Sequence, residues 1–231
     1  MSYVLHYAPD NASLIVRLAL EHVGASYTTQ LVDRARGAQR SAAFRALNPH
    51  GLIPALETPE GALFETGAIL LWLSERHPGL APVPGDPQRG AYLKWLFYVS
   101  NTLHPALRMT FYPDKYIGPA PADQARLRAG LRAPILTAFA ALEDIAADAA
   151  WFGHGTGALD FYVAACLRWC AIYPGDTDRS WFDLRAFAHL TAMCARIEAL
   201  PACAALIRAE GMNDTPFTAP DYPNPPEGSA I

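Results

Sequence analysis

The fold is indicated most directly by the segment Asn48-Pro49-His50-Gly51-Leu52-Ile53-Pro54-Ala55-Leu56. Its apolar part, residues 53–56, lies between Gly51 and Pro59, and a short apolar run between such turn residues is typical of a buried strand. Proline has no backbone N–H to give to a neighbouring strand, so Pro54 is expected at a strand start or a sheet edge. The segment therefore predicts a short strand that begins beside an open part of the sheet.

A hairpin and a helix are predicted to follow this strand. Residues 62–64 form the second strand, joined to the first through a turn at residues 58–61. Thr66 precedes the apolar run 68–73 and is predicted to be the N-cap of a helix. A helix N-terminus attracts a carboxylate, and the neighbouring Glu65 could hold an ammonium group. The two features together favour a ligand that carries an α-amino acid group.

The peptide bond before Pro54 extends this ligand preference. If the Ile53–Pro54 bond is cis, the backbone N–H and C=O of Ile53 can turn outward and pair with an extended ligand. The predicted ligand therefore has an amino-acid end with an extended peptide next to it.

In residues 48–56 and 64–69 the sequence resembles the glutathione site of cytosolic glutathione transferases, and the likeness extends over about residues 3 to 210. The resemblance implies an α/β plus all-α fold class, with a thioredoxin-like N-terminal domain followed by an all-helical C-terminal domain. It implies that Pro54 is a cis-proline, that Ile53 pairs with the cysteinyl backbone of glutathione, and that Glu65 and Thr66 bind the γ-glutamyl end. His50 takes the place of a lysine in bacterial beta-class relatives and could reach the glycyl carboxylate; the alternative is a solvated loop residue.

The chain is predicted to divide once. Residues 1–80 form the glutathione-binding domain, 81–87 a linker rich in proline, 88–212 the helical domain and 213–231 a proline-rich tail that is extended or partly disordered. In the first domain we expect strands at Tyr3–Tyr7 and Ser26–Val32, a helix that ends near Gly24 and a helix at Thr66–His77. In the second we expect helices at residues 88–111, 122–148, 158–171, 183–199 and 201–210.

One residue must activate the thiol of the ligand, because only the thiolate is nucleophilic. Lowering a thiol pKa from about 8.5 to about 6.5 takes roughly 2.7 kcal/mol of anion stabilisation. One charge-assisted hydrogen bond contributes about 1.5–3 kcal/mol, so a single donor in the first turn of helix one suffices. Ser13 and Asn11 are the candidates there.

Family resemblance bears on this choice. Beta-class enzymes carry a cysteine and a serine at the places of Ala12 and Ser13, whereas delta- and theta-like enzymes align an activating serine with Asn11. We favour Ser13 over Asn11, with simple helix capping as the alternative role. The missing cysteine argues against a mixed disulfide at Ala12 and leaves conjugation by the free thiolate.

His104 is a further catalytic candidate. It lies in Asn101-Thr102-Leu103-His104-Pro105, which resembles the beta-class segment that places a histidine near the glutathione sulfur. A neutral imidazole could accept the thiol proton or donate to the thiolate. The alternative is a structural hydrogen bond beside a helix kink at Pro105.

The pocket for the second substrate is expected between the two domains. Met109, Phe111, Tyr112 and Tyr116 could supply an apolar, aromatic wall with hydroxyls at its edge. Ordinary core packing is the alternative for each of them.

A capping motif is expected in the helical domain. Residues 157–160, Gly-Ala-Leu-Asp, resemble the Ser/Thr-x-x-Asp capping box of the family. Gly157 lacks the capping hydroxyl, so Asp160 is assigned to folding through backbone N–H groups at the helix start.

Composition limits the partners. At 231 residues and 52% hydrophobic the chain can fill two cores, and a net charge of −4 with 17% charged residues argues against nucleic acid or a membrane surface as a partner. With no signal peptide or long apolar run visible we expect a cytoplasmic protein. Four reduced, buried cysteines are expected at 166, 170, 194 and 203. The seven histidines show no metal-ligand spacing, so no metal is expected.

The sequence thus predicts a homodimeric glutathione transferase that uses glutathione as co-substrate and joins its thiolate to small hydrophobic electrophiles. The same site could serve a glutathione-dependent reductase, lyase or isomerase, because a fold does not fix the second substrate. From another class, the chain could be a non-catalytic protein that binds glutathione and apolar ligands.

Overall fold

Strands and helices alternate through the first 76 residues of the computed structural model, which describes residues 2–230. In chain order they are β1 (Tyr3–Tyr7), α1 (Ser13–His22), β2 (Tyr27–Leu31), α2 (Ala42–Leu47), β3 (Ala55–Thr58), β4 (Gly61–Phe64) and α3 (Thr66–Arg76). The sheet has the order β2-β1-β3-β4, with β1 parallel to β2 and antiparallel to β3, and β3 antiparallel to β4.

Helices cover both faces of this sheet. Leu5 and Leu56 are register partners on β1 and β3, and both are fully buried in the core shared with α1 and α3. On the other face Phe44 of α2 packs against Val32 and Ala55. Apolar side chains that alternate between two covered faces produce the layered thioredoxin-like arrangement that was predicted.

In the first 76 residues the strand and helix ends differ from the sequence prediction by one or two residues, whereas the helix predicted to begin at residue 183 begins only at Ala188. β3 begins at Ala55 and not at Ile53, because Pro54 has no N–H to donate to the ladder. Glu65 is the N-cap of α3 and Thr66 is its first helical residue, so the prediction of Thr66 as N-cap is wrong. The ends of α1, β2 and α3 lie one or two residues inside the predicted ones.

The second half of the described chain is helical. It contains α4 (Arg89–Tyr98), α5 (His104–Phe111), α6 (Asp114–Ile117), α7 (Pro121–Asp148), α8 (Ala158–Ile172), α9 (Ala188–Glu198) and α10 (Pro201–Glu210). The single helix predicted over 88–111 is interrupted by a π-helical turn at Val99–Leu103. Pro105 lies in the first turn of α5, where its missing N–H removes one backbone bond and so favours this widened turn.

The buried carboxylate of Asp160 organises the loop before α8. It accepts hydrogen bonds from the backbone N–H groups of Gly153, Gly155, Thr156 and Gly157 at 2.8–3.1 Å. This is the folding role that was predicted for Asp160, extended from the helix start to the preceding loop.

The tail, residues 211–230, has no helix or strand and packs against the rest of the protein. Phe217 is fully buried, and the carboxylate of Glu198 accepts the N–H groups of Phe217 and Thr218, both at 2.8 Å. The tail therefore follows an irregular path with a turn at residues 216–218, where the Ala219 N–H donates to the Thr215 carbonyl at 3.1 Å, and it is not extended throughout.

Two further findings concern the helices and the thiols. Within residues 2–230, no helix taken alone has the length and apolar character needed to cross a membrane; α9 and α10 reach them only as a pair, bent by 81° at the break between them. All four cysteines are buried and free, as predicted.

Candidate active site

Three segments meet at one edge of the sheet. His6 on β1 is the register partner of Ala55, and Ala55 is the register partner of Phe64 on β4. When this register is extended from Ala55 back to Ile53, Ile53 lies between the turn after β1 and the start of α3 at Thr66. The pairing of the strands thus brings together residues that lie more than forty positions apart.

The loop before β3 leaves the backbone of Ile53 available. The Ile53–Pro54 peptide bond is cis. Asn48 holds the loop: its amide nitrogen donates to the carbonyl of Leu52 at 2.7 Å, and its amide oxygen accepts the N–H of His50 at 3.1 Å. Among residues 2–230, the N–H and C=O of Ile53 have no hydrogen-bond partner. An extended peptide can therefore pair with this residue.

The N-terminus of α3 offers donors beside Ile53. Glu65 is exposed, has a φ of 69°, and makes no side-chain capping bond. The first-turn N–H groups of α3 are left without a capping side chain, and the Thr66 hydroxyl makes no hydrogen bond among residues 2–230. Unpaired N–H groups at the positive end of a helix bind carboxylates. A non-glycine residue at such a φ costs about 1–3 kcal/mol, a cost often found at ligand sites.

His50 is placed differently. It is exposed, and its ring packs edge-on against Phe64 with the ring centroids 5.7 Å apart. The structure gives it no polar side-chain partner among residues 2–230. The geometry agrees better with the solvated-loop alternative than with a ligand contact.

Asn11 lies in the turn before α1 and Ser13 is the first residue of α1, and their environments differ. Ser13 is fully buried, and its hydroxyl donates to the carbonyl of Ala8 at 3.0 Å and accepts the Ala8 N–H at 3.3 Å. Its hydroxyl is therefore committed inside the protein, which does not support the preference for Ser13 as thiol activator.

Asn11 keeps a donor available. Its side-chain oxygen accepts the N–H of Ala12 at 2.8 Å, which identifies that branch of the amide as the oxygen. The amide nitrogen consequently has two N–H groups and no partner among residues 2–230. Asn11 is half-buried, at the N-terminal end of α1, where the helix dipole also favours an anion.

Side chains of α8 hold His104 in place. Its Nδ1 lies 2.7 Å from the hydroxyl of Tyr162, and its ring packs against Trp169 with the centroids 5.5 Å apart. Burial, followed by the positive charge of Arg108, lowers the pKa of His104 to about 4. The imidazole is therefore neutral near pH 7 and already has a structural partner at Nδ1, so a role at a thiol falls to Nε2.

The lowered pKa of His104 predicts a pH-dependent stability. The imidazole titrates near 6.5 when unfolded and at about 4 when folded, so between these values the unfolded chain binds the extra proton. The free energy of unfolding should then fall as the pH drops from about 6.5 to about 4. His104→Gln keeps a hydrogen-bonding side chain without this titration.

Denaturant unfolding of both proteins across this pH range checks the expectation. The difference in free energy of unfolding between wild type and variant should be constant above pH 7. Below pH 6 the wild type should lose stability relative to the variant. Parallel pH profiles would contradict the assigned shift.

A buried ion network fixes the turn that carries Asn11. Asp10 and Arg168 of α8 form a two-bond pair at 2.9 and 2.8 Å, with both side chains fully buried. Asp10 also accepts from Trp169 Nε1 at 3.1 Å and from the Tyr173 hydroxyl at 2.7 Å. The backbone N–H of Asp10 donates to Glu210 at 2.8 Å. The turn is thus fastened to the helical domain at the position next to Asn11.

The four predicted pocket residues lie at one corner of the helical domain, but their contacts differ. The Phe111 ring lies 6.1 Å from that of Tyr173, and the Tyr112 hydroxyl accepts a bond from Arg34 at 2.8 Å. Tyr116 is 42% exposed and its hydroxyl accepts a bond from Arg108. Met109 is half-buried on α5. The corner is therefore more polar than the predicted apolar wall.

Three site residues were missed in the sequence: Asp10, Tyr7 and Arg34. Tyr7 donates from its hydroxyl to Glu227 of the tail, and burial and this carboxylate raise its pKa, which keeps the phenol protonated. Arg34 donates to the carbonyl of Ala230 at 2.8 Å. Their partners are distant in the sequence, so no local pattern could have revealed these contacts. For Arg34 the sequence showed only that it lies two residues after the predicted strand Ser26–Val32.

Metal ligation has no geometric basis in the described part of the chain. Residues 2–230 contain no group of three or more His, Cys, Asp or Glu side chains arranged to hold a metal ion.

A thioredoxin-like domain with an open cis-proline edge, joined to an all-helical domain, defines the class of two-domain glutathione-binding folds. Residues 12–76 match the family model "Glutathione S-transferase, N-terminal domain". A protein of Pseudomonas aeruginosa named maleylacetoacetate isomerase is 30% identical over 191 residues, which cover 80% of this chain and 89% of the relative.

Solved structures agree. A sphingomonad glutathione S-transferase complexed with glutathione is 29% identical, with a TM-score of 0.73, over 90% of this chain and 98% of that one. The bacterial beta-class glutathione S-transferase of Sphingomonas chungbukensis is 27% identical, with a TM-score of 0.71, over the same shares of the two chains. The chain belongs to the glutathione S-transferase family, which confirms the resemblance and the prediction of a glutathione transferase enzyme.

Proposed function

We propose that this enzyme binds glutathione along Ile53 and the N-terminus of α3 and joins its thiolate to a small electrophile. One observation carries the proposal: the free backbone groups of Ile53, the unpaired Thr66 hydroxyl and the uncapped N–H groups of α3 lie at one edge of the sheet. The γ-glutamyl carboxylate fits the helix terminus, the α-ammonium fits Glu65, and the cysteinyl backbone fits Ile53.

In this proposal the thiol lies beside the turn before α1. The free N–H of Asn11 stabilises the thiolate, and the dipole of α1 adds a smaller contribution. The neutral His104 can accept the thiol proton through Nε2 or donate to the sulfur, depending on its tautomer. Holding both reactants in the cleft makes the attack effectively intramolecular.

The isomerase alternative has specific support. The relative that matches most of this chain at 30% identity is named an isomerase of maleylacetoacetate. Isomerisation needs the same bound thiolate, so the glutathione site cannot separate the two reactions. Conjugate formation distinguishes them, because an isomerase returns glutathione unchanged.

Reduction and lyase chemistry, a homodimeric state and a cytoplasmic location stay predictions. A non-catalytic binding protein stays the alternative of another class. Glutathione binding without turnover of an activated aryl halide, and unaffected by Asn11→Ala, would favour it.

Thr66→Ala tests the glutathione site. We expect the dissociation constant of glutathione to rise by a factor of about 5 to 30, equivalent to about 1–2 kcal/mol, because one hydroxyl bond to a charged carboxylate is lost while the helix terminus still binds. Isothermal titration calorimetry measures this. Thr58→Ala is the matched control, since its hydroxyl bonds only within the β3–β4 turn. An unchanged constant for Thr66→Ala would contradict the assigned site.

A further inference from the structure

Four basic side chains gather beside the predicted pocket corner: Arg34, Arg40, Arg108 and Lys115. Tyr112 joins two of them, since its hydroxyl accepts the Arg34 bond and its ring centroid lies 4.2 Å from the Lys115 ammonium nitrogen. The Arg108 guanidinium carbon lies 5.4 Å from the ring centroid of Tyr116. We call these four residues the basic cluster.

The basic cluster carries more positive than negative charge in the described part of the chain. Among residues 2–230, none of its members forms a salt bridge, whereas Arg36, two positions after Arg34, pairs with Asp33. Burial and the charges of Arg108, Arg34 and Arg40 lower the pKa of Lys115, although Asp114 acts in the opposite direction. In a chain of net charge −4, this is a concentrated and mutually repelling positive charge.

The basic cluster borders the proposed thiolate position from the side of the helical domain. Arg108 lies one helical turn after His104, so the two share a face of α5. Phe111, adjacent to Tyr112, packs against Tyr173, whose hydroxyl donates to Asp10 beside Asn11. A molecule approaching the thiolate from this side therefore meets positive charge.

We propose that the second substrate is an organic anion: an electrophile with a carboxylate that Arg108 and Lys115 bind. This inference rests on the proposed function and replaces the hydrophobic electrophile of the sequence prediction. Two cations and two tyrosine hydroxyls at this corner attract and orient a carboxylate, and a neutral molecule gains no charge attraction from them.

Two aryl chlorides of similar shape test the proposal. With 4-chloro-3,5-dinitrobenzoate the thiolate sulfur bonds to the ring carbon, the carbon–chlorine bond breaks and chloride leaves with the electron pair; the carboxylate does not react. 1-Chloro-2,4-dinitrobenzene undergoes the same step without a carboxylate. The readout is the ratio of kcat/KM for the benzoate to kcat/KM for the neutral compound, each divided by its uncatalysed rate with glutathione.

We expect Lys115→Gln and Arg108→Gln each to lower this ratio about fivefold, the size of a partly exposed charge pair. Arg208→Gln is the matched control, because Arg208 is exposed on α10 and forms no ion pair among residues 2–230. A ratio unchanged in both cluster variants would overturn the proposal. A raised KM for glutathione in these variants, with the ratio unchanged, would also overturn the proposal, because the basic cluster would then bind the glycyl carboxylate of glutathione.

A binding measurement separates this inference from the proposed function. If the wild type binds glutathione but conjugates neither chloride, the proposal of conjugation is wrong. The anionic-substrate inference is then tested by itself: the glutathione-bound enzyme is titrated calorimetrically with 3,5-dinitrobenzoate and with 1,3-dinitrobenzene. Tighter binding of the benzoate, lost in Lys115→Gln, supports an anionic substrate. Equal or weaker binding of the benzoate overturns it.

Discussion

Asp10→Ala should lower the free energy of unfolding by about 3–5 kcal/mol, because it leaves the buried Arg168 guanidinium without its carboxylate. Trp169 and Tyr173 lose their acceptor in the same variant. Denaturant unfolding followed by circular dichroism measures the effect. Since Asp10 also anchors the turn that carries Asn11, activity with glutathione should fall even where the variant is folded.

The control for this prediction is an exposed ion pair of the same chemistry. Asp183 and Arg185 form a pair with 53% and 88% of their side-chain surfaces exposed. Asp183→Ala should change the free energy of unfolding far less than Asp10→Ala does, because water screens the exposed pair. If Asp10→Ala were as mild as this control, the buried network would not stabilise the fold.

The sheet edge was predictable because its signals are local. Proline without an N–H, an apolar run of four residues and the hairpin turn after it act through neighbouring backbone atoms, so Pro54 and the strands around it were placed to within two residues. The N-cap was misplaced by one residue, because a helix start depends on φ and ψ values that side-chain type only biases.

The contacts around Asp10 could not be predicted from local sequence patterns. Asp10 and Arg168 are separated by 158 positions, and each is an ordinary polar residue in its own segment. The tail is a similar case: its prolines predicted an extended chain, but composition does not encode that Glu227 reaches Tyr7. Contacts of this kind follow from the packing of the two domains.

The choice between Ser13 and Asn11 depends partly on local sequence signals and partly on long-range packing. The sequence limits the candidate donors to Asn11 and Ser13 at the start of α1, but it gives no account of which side chain turns inward. Burial decides: Ser13 is enclosed with both functions of its hydroxyl used by Ala8, and Asn11 has a free amide nitrogen. We therefore propose Asn11, which was ranked second from the sequence, as the donor.

Asn11→Ala should raise the pKa of the bound glutathione thiol by about 1–2 units and lower kcat/KM about 10- to 100-fold, since one charge-assisted hydrogen bond to the thiolate is lost. Ultraviolet absorbance of the thiolate against pH measures the first quantity, and initial rates with an aryl chloride measure the second. Asn11→Asp keeps the shape but replaces the donor with a negative oxygen, so the thiol pKa should rise further.

Ser13→Ala provides the matched comparison in the same turn. It removes two internal hydrogen bonds and should cost about 1–2 kcal/mol of stability through the loop before α1. The thiol pKa of the folded variant should not change, because the Ser13 hydroxyl already bonds the Ala8 backbone. The opposite pattern, with a raised thiol pKa in Ser13→Ala and an unchanged one in Asn11→Ala, would return the activating role to Ser13 and require the turn to rearrange when glutathione binds.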